Sequence, residues 1–385
     1  MRHLLIITTS YPFGQAGTEA AGSFVEDFAT AVARHCRVTV LAPGVGPENM
    51  DVSASCTVRR YTVPLLPLSR LNPLNPTHWR HIRAVMRAGW DTLAATAHAD
   101  RPDHVLALWA LPSGWWARRA LRELAIPYSV WALGSDIWTL GRIPLVRTLL
   151  ARILRDAACC YADGYQLAAD VERLAGRPCE FMPSSRRLPQ AGDREYAATP
   201  PYRFAYLGRW HVNKGVDLLI GALNSLVDGD WQRIQEVRIA GGGPLHSRVA
   251  EGVNHLRHDR RPVTLLGYLD RVQAAALIAW ADYLVIPSRI ESIPVVFSDA
   301  MQGGCPVIAS PVGDLPLLIS RYRAGLLAPA ASVPGLRLAL RAALDSVPTD
   351  FVAALPQARQ AFDVDMIAAA FVNRLWSHQL SPQGR

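Results

Sequence analysis

The sequence predicts an α/β protein whose parallel sheets are covered by helices, and three observations carry that expectation. Residues 203–226 read as a strand, a tight loop and an amphipathic helix: the apolar run 204–207 stops at Gly208, and Leu219, Ala222, Leu223 and Leu226 recur at helical spacing. Residues 283–310 repeat the unit. There an apolar run is followed by the polar loop S-R-I-E-S, Pro294 fits a first helical turn after Ser292, Gly303 and Gly304 close the helix, and a new apolar run begins at Pro306. Finally, at 385 residues, half of them apolar and 19% charged, the chain is long enough for two or three domains, each with its own core.

Taken in order, residues 4–7 form a first strand, because the apolar run at the N-terminus is too short for a signal peptide. The loop that follows carries Gly14, Gly17 and Gly22 and leads into a helix marked by Phe24, Phe28 and Val32. A glycine-bearing loop after the first strand is where an open α/β sheet receives ligands, although a merely flexible loop has the same composition. Residues 37–41 are the second strand. From 52 to 90 there is no acidic residue, while Arg59, Arg60, Arg70, Arg80, Arg83 and Arg87 accumulate with His78 and His81. The helix expected over 77–90 places Arg80, Arg83 and Arg87 on one face and Trp79, Ile82 and Met86 on its neighbour. That is a candidate face for an anionic membrane surface, or else a solvated arginine face over a core-facing stripe. A second arginine-bearing helix starts at Arg142, with Arg147, Arg152 and Arg155, and its many apolar residues predict that it is mostly buried.

Between these helices residues 104–110 read as a strand, and five of the eleven tryptophans follow: Trp109, Trp115, Trp116, Trp131 and Trp138. Flat rings with a polar rim suit the C–H faces of a sugar, and core packing competes for each of them. Asp136 is a candidate helix N-cap. Residues 186–201 are polar and proline-bearing, as a linker between domains would be. Beyond them, residues 237–244 and 262–270 are further strand-and-turn units, and 362–380 has helical spacing through Met366, Ile367, Ala370, Phe371 and Leu375.

Charge and cysteine usage narrow the function classes. Lys214 is the only lysine among 40 basic residues, so a compact ammonium stands where the chain elsewhere uses arginine. With Arg209 it reads as a cationic clamp beside a helix N-terminus, a setting that favours an anion. The formal net charge of +8 suits an acidic partner, but no zinc-finger, ribonucleoprotein or helix-turn-helix pattern supports nucleic acid. Six cysteines form no C-x-x-C pair and read as reduced core residues. His78 with His81 and His255 with His258 lack the carboxylate spacing of a zinc protease, and no metal site is expected. No uncharged run is long enough to span a bilayer, which predicts a cytoplasmic protein.

The pair G-R-x4-K-G (Gly208, Arg209, Lys214, Gly215) and E-x7-D (Glu291, Asp299), followed by G-G-C-P-V-I-A-S, resembles the donor half of a retaining glycosyltransferase of family four. The resemblance implies the GT-B fold: two Rossmann-like doubly wound parallel-sheet domains facing across a cleft, with a C-terminal helix crossing back to the first. It would divide the chain into an acceptor domain at 1–185, a linker at 186–201, a nucleotide-sugar domain at 202–361 and a crossing helix and tail at 362–385. It further implies that Arg209 and Lys214 hold a diphosphate leaving group, that Glu291 contacts the transferred sugar, and that Gly208, Ser292, Ile293 and Pro294 surround the donor. Gly267 and Tyr268 would receive the base and Asp299 the ribose, while Gly14, Gly17, Trp109 and Asp136 would face the acceptor or the cleft, Asp136 as a candidate for orienting acceptor or sugar hydroxyls.

The donor implied is a nucleoside-diphosphate sugar, a UDP-sugar before a GDP-sugar, with no metal and no other cofactor. The acceptor would be a glycan or a lipid-linked glycan, met in the cytoplasm or at the inner membrane face. Three positions depart from the family pattern: Leu133 stands where many members carry the histidine of H-G-x-D, Asp299 where most have glutamate, and 182–187 where relatives have P-N-G. A catalytically silent subunit and a sugar-nucleotide epimerase on the same fold therefore stay open. A dehydrogenase does not, because no G-x-G-x-x-G opens a helix.

Overall fold

The computed structural model describes residues 1–12, 22–46, 49–66, 68–189 and 194–380. The chain divides into two units, Met1–Ser184 with Val364–Arg385, and Ser185–Asp363.

In the first unit eight strands form one sheet: β1 (His3–Ile7), β2 (Arg37–Gly44), β3 (Asn49–Ser53), β4 (Cys56–Thr62), β5 (His104–Leu108), β6 (Tyr128–Ala132), β7 (Cys159–Ala162) and β8 (Cys179–Phe181). Their order is β3-β4-β2-β1-β5-β6-β7-β8, parallel throughout except for β3, which lies antiparallel on the β4 edge. Every residue of β1, β5 and β6 is buried, as expected of parallel strands covered on both faces. The period-2 alternation of a strand explains how. Leu5 and Ile7 join the core under the helices Trp79–Ala99, Ser113–Leu124 and Pro144–Asp156. Leu4 and Ile6 join the opposite core, under Ser23–Val32 and the C-terminal helix Val364–Leu380. Winding reverses between β1 and β5.

The C-terminal helix therefore belongs to the first unit. Phe371 packs against Phe28 and Tyr161, each with ring centroids 5.5 Å apart. Its buried stripe is Val364, Ala368, Phe371, Val372 and Leu375, whereas Met366 and Ala370, which share the helical spacing read from the sequence, are exposed. Two helices in the first unit also differ from expectation. The helix predicted to end near Trp90 runs on to Ala99. In Pro144–Asp156 only Leu150, Ile153 and Leu154 are buried and Leu145 is exposed, so this helix shows one apolar stripe rather than being mostly buried.

The second unit holds β9 (Tyr202–Leu207), β10 (Ile234–Ala240), β11 (Val263–Gly267), β12 (Tyr283–Ile286), β13 (Val307–Ala309) and β14 (Gly325–Leu327), ordered β11-β10-β9-β12-β13-β14 and all parallel. This is the doubly wound order 3-2-1-4-5-6, whose switch point lies between β9 and β12. Asp282, fully buried just before β12, accepts from the Arg203 backbone N–H at 2.8 Å and from its guanidinium at 3.0 and 3.1 Å, which fixes the start of β12 against β9. The polar stretch before β9 is fastened to this unit. Arg194 donates to the Ile278 carbonyl at 2.6 Å and Tyr196 to that of Gly304 at 2.8 Å.

The six cysteines are unpaired, five buried and Cys159 half-buried. Among the described residues no helix is long and apolar enough to cross a membrane. Phe371→Ala removes a fully packed ring from the first unit and is expected to destabilise it by about 3–5 kcal/mol. Hydrogen exchange that resolves the two units checks this: protection should fall in β1 and Ser23–Val32 and stay unchanged in β9 and β10.

Candidate functional site

In an open α/β sheet ligands bind beyond the carboxyl ends of the strands at the switch point, so the loops after β9 and β12 are where a site belongs. The loop after β9 carries Gly208 and Arg209 and then a single 3-10 turn, Val212–Lys214, whose start is capped by the His211 side chain accepting from the Asn213 N–H at 3.2 Å. The loop after β12 runs from Pro287 to Pro294 and feeds the helix Val295–Gln302. Lys214 Nζ and Glu291 Oε1, 77 residues apart in the chain, form an ion pair here. Ser288 Oγ donates to the same carboxylate oxygen at 3.2 Å. The carboxylate is 11% exposed and the ammonium 38%, so the lysine is the accessible partner.

A residue that the sequence reading passed over holds the two loops together. Arg289 donates from its backbone N–H to the Asn213 carbonyl at 2.8 Å and from Nη1 to the Val212 carbonyl at 2.7 Å. Its guanidinium also grips both Asp217 carboxylate oxygens at 2.8 Å, a bidentate pair at the first turn of the helix Val216–Asn224. Arg289 hydrogen-bonding holds the Asp217 carboxyl below the usual carboxylate range, against the opposing effect of burial. The signal available in the sequence was an acid at a helix start with an arginine in the facing loop. Gly215 sits at φ 68, and a Cβ there would overlap the Pro287 carbonyl, so glycine is what lets the Lys214 turn press against the end of β12.

Arg209 is exposed and makes no ion pair among the described residues. The backbone around it is fixed: Tyr206 donates to the Arg209 carbonyl at 3.1 Å, and Trp210 N–H to the Gly242 carbonyl at 2.8 Å. Gly208 lies at the tip of β9, and Gly241 approaches its carbonyl so closely that a Cβ would collide with it. Gly267 ends β11, and the next residue, Tyr268, is exposed beside Gly242. Ser292 and Ile293 are buried, and among the described residues neither Ser292 Oγ nor Ser310 Oγ, just after β13, has a hydrogen-bond partner. Pro294 occupies the N-cap position of Val295–Gln302. The structure thus gathers Gly208, Arg209, Lys214, Glu291, Ser292, Ile293 and Pro294 at the carboxyl edge of β9 and β12, with Gly267 and Tyr268 on the β11 side.

Asp299 does not present its carboxylate there. It is 0% exposed and clasped by Arg186, with Nε at 2.9 and 3.1 Å and Nη2 at 2.6 Å. A ribose hydroxyl reaches it only if Arg186 withdraws. The physical reason is that a carboxylate without water needs a counter-charge, and Arg186 supplies it.

In the first unit Asp136 is likewise closed. It is 1% exposed and accepts from the Ala110 N–H at 2.6 Å and the Leu133 N–H at 3.3 Å, bracing the turns after β5 and β6. Burial pushes its carboxyl up, against the pull of those N–H groups. It neither faces an acceptor nor caps a helix, since it lies inside the first turn of Ser135–Trp138. Of the tryptophans, Trp116 and Trp131 are core, with indole N–H groups donating to the carbonyls of Met86 and Met182. Trp138 is pinned to Asp170 at 2.7 Å. Trp109 stays half-exposed at the carboxyl end of β5, the switch point of the first sheet, in a left-handed conformation (φ 65) that a bulky residue adopts only at a cost of about 1–3 kcal/mol. Gly14 and Gly17 lie outside the described residues. Arg80, Arg83 and Arg87 are exposed and Trp79 beside them is 55% exposed. Among the described residues no three His, Cys, Asp or Glu side chains group as metal ligands.

Residues 201–346 match the family described as Glycosyl transferases group 1. A D-inositol 3-phosphate glycosyltransferase of Corynebacterium glutamicum is 32% identical over 126 residues, which cover 32% of this chain and 30% of that protein. The chain matches about a third of the length of such curated relatives. The structure of sucrose-phosphate synthase from Thermosynechococcus elongatus superposes with a TM-score of 0.75 at 19% identity, covering 99% of both chains. That of Anabaena HepE in complex with UDP and glucose gives 0.71 at 17% identity, over 98% of this chain and 100% of that one. The chain has the GT-B fold, and its second unit carries the glycosyltransferase resemblance.

Two outcomes follow from the loop clamp. Gly215→Ala should displace the Lys214 turn and destabilise the second unit by about 1–3 kcal/mol, measured by denaturant unfolding. Because the Asp217 carboxyl is depressed in the folded state, its contribution is present above the carboxylate range and lost as the pH falls through it. Arg289→Ala should flatten that acid limb of a stability–pH profile while leaving the profile above pH 6 parallel to that of the parent.

Proposed function

We propose that the chain is a retaining glycosyltransferase that moves a hexose-type sugar from a nucleoside-diphosphate sugar to a glycan or lipid-linked acceptor, acting in cell-surface polysaccharide or glycolipid synthesis. The observation that carries this reading is the meeting of Lys214 and Glu291 at the switch point of the second sheet, beside Arg209, which makes no ion pair among the described residues. A diphosphate leaving group gains negative charge as its bond to the sugar breaks. Fixed cations lower that barrier because they are already oriented where the charge develops. In this reading Lys214 and Arg209 take the diphosphate oxygens and Glu291 accepts from hydroxyls of the transferred sugar. The bond from the anomeric carbon to the diphosphate breaks, the acceptor oxygen bonds that carbon on the same face, and the acceptor proton passes to the departing phosphate. In this reading the two cations supply the charge stabilisation for which other enzymes use a metal.

A UDP-sugar is the favoured donor, supported by the UDP and glucose held in the HepE structure, with a GDP-sugar next. Trp109 offers its ring to the acceptor. The arginine face of Trp79–Ala99, with the exposed Trp79 at its start, supports peripheral contact with an anionic membrane from the cytoplasmic side. A second reading, a nucleotide-binding subunit without turnover, is favoured by the closure of Asp299 under Arg186.

A nucleotide panel tests the donor. UDP at about 100 times its dissociation constant should stabilise the wild type by about 2.7 kcal/mol, and Lys214→Ala should lose the response. With donor and acceptor supplied, Lys214→Ala should lower kcat about 10²- to 10³-fold, and proton NMR of the first product should show the donor's anomeric configuration. Stabilisation by UDP without turnover against any glycan acceptor would favour the silent subunit. For the membrane contact, vesicles rich in phosphatidylserine should sediment the wild type, and the triple variant Arg80→Ser, Arg83→Ser, Arg87→Ser should stay in solution.

A further inference from the structure

A cavity of about 930 Å³ opens at the amino edge of the first sheet, the end opposite the loops that follow β1 and β5. Arg2, Asp103, Pro127, Ala158 and Pro178, which lead into β1, β5, β6, β7 and β8, contribute to its wall. Its volume is that of a small-molecule site, and its wall carries the guanidinium groups of Arg2, Arg101, Arg155 and Arg177. The three carboxylates in the wall are each engaged by an arginine: Asp103 by Arg2 at 3.4 Å, Asp156 by Arg118 at 2.6 Å, and Glu180 by Arg374. That leaves Arg101, Arg155 and Arg177, which meet no carboxylate among the described residues. Arg101 donates to the Ala125 carbonyl at 3.1 Å, and Arg177 donates to the carbonyls of Arg155, Ala157 and Ala158. The exposed Arg155 side chain has no hydrogen-bond partner among the described residues.

Among the described residues His104 Nδ1 and Arg177 Nε in the same wall have no hydrogen-bond partner, and neither has Glu180 Oε2, whose charge is met by the Arg374 ion pair. The other ring nitrogen of His104 is 2.9 Å from Ser129 Oγ, so the imidazole is fixed in place. A buried polar group without a partner is costly, and arginines that pair with no carboxylate of their own leave positive charge to be met. A tetrahedral dianion answers both conditions, since the planar forks of arginine match phosphate oxygens. We propose that this cavity binds a phosphorylated small molecule, whose phosphate monoester is held by Arg101, Arg155 and Arg177. The site is separate from the Lys214 loops, and its occupant differs from the sugar nucleotide assigned to them.

Isothermal titration of the full chain with glucose 6-phosphate tests this, with glucose and sodium chloride at matched ionic strength as controls. Saturable binding to one site is expected in the wild type and in Lys214→Ala. Arg155→Ser should weaken it about tenfold, and Arg101→Ser with Arg155→Ser by about a hundredfold. Both arginines are exposed, so these variants keep the fold, and circular dichroism verifies it. Absence of saturable binding overturns the proposal. So does binding that disappears in Lys214→Ala and survives in the double arginine variant, because the phosphate would then occupy the donor loops.

Discussion

The second unit depends on a guanidinium. Arg289 joins two loops that leave adjacent parallel strands, adding side-chain bonds to Val212 and Asp217 to the backbone contact with Asn213 and the Lys214–Glu291 pair. Parallel sheets impose this problem, because neighbouring strands are linked through long crossovers and their carboxyl-end loops share no local contacts. The chain answers with charge at the Asp217–Arg289 pair and with the absence of a side chain at Gly215. The Lys214–Glu291 pair is built on that foundation. Its carboxylate is held by Ser288 as well as by the lysine, so an arriving anion can compete for the ammonium without leaving a bare carboxylate behind.

Much of this architecture was legible in the sequence because it is local. The runs ending at Gly208 and at Pro287 announce strands, the glycines and Pro294 announce turns and a helix start, and the lone lysine marks a position where arginine does not substitute. What was not legible is tertiary. Asp299 follows Glu291 at the expected interval and looks available, but its partner Arg186 lies far back in the polar stretch before β9, and nothing periodic links the two. Asp136 is similar: its acceptors are consumed by backbone N–H groups of Ala110 and Leu133, which a reading of side chains does not count. Arg289 was passed over because an arginine in a polar loop is ordinary until the loop has a neighbour.

Helix faces show the same limit. In Pro144–Asp156 the composition is apolar enough to read as buried, but a helix on the outside of a sheet needs only one stripe, and Leu145 falls off it. In Val364–Leu380 the spacing was recognised and its phase was displaced, since both Met366 and Val364 fit a helical period and only contact with Phe28 and Tyr161 decides between them.

The place of that last helix bears on how the protein is made. Phe371 and Leu375 complete the core over β1 and Ser23–Val32, so one face of the first sheet lacks part of its cover until residues 364–375 have been synthesised. Residues 185–363, by contrast, form a continuous segment with its own core. Domains fold as units during vectorial synthesis. The second unit is thus free to fold on the ribosome while the first waits for that helix, and the nascent chain carries part of an apolar face for the time it takes to translate the residues in between.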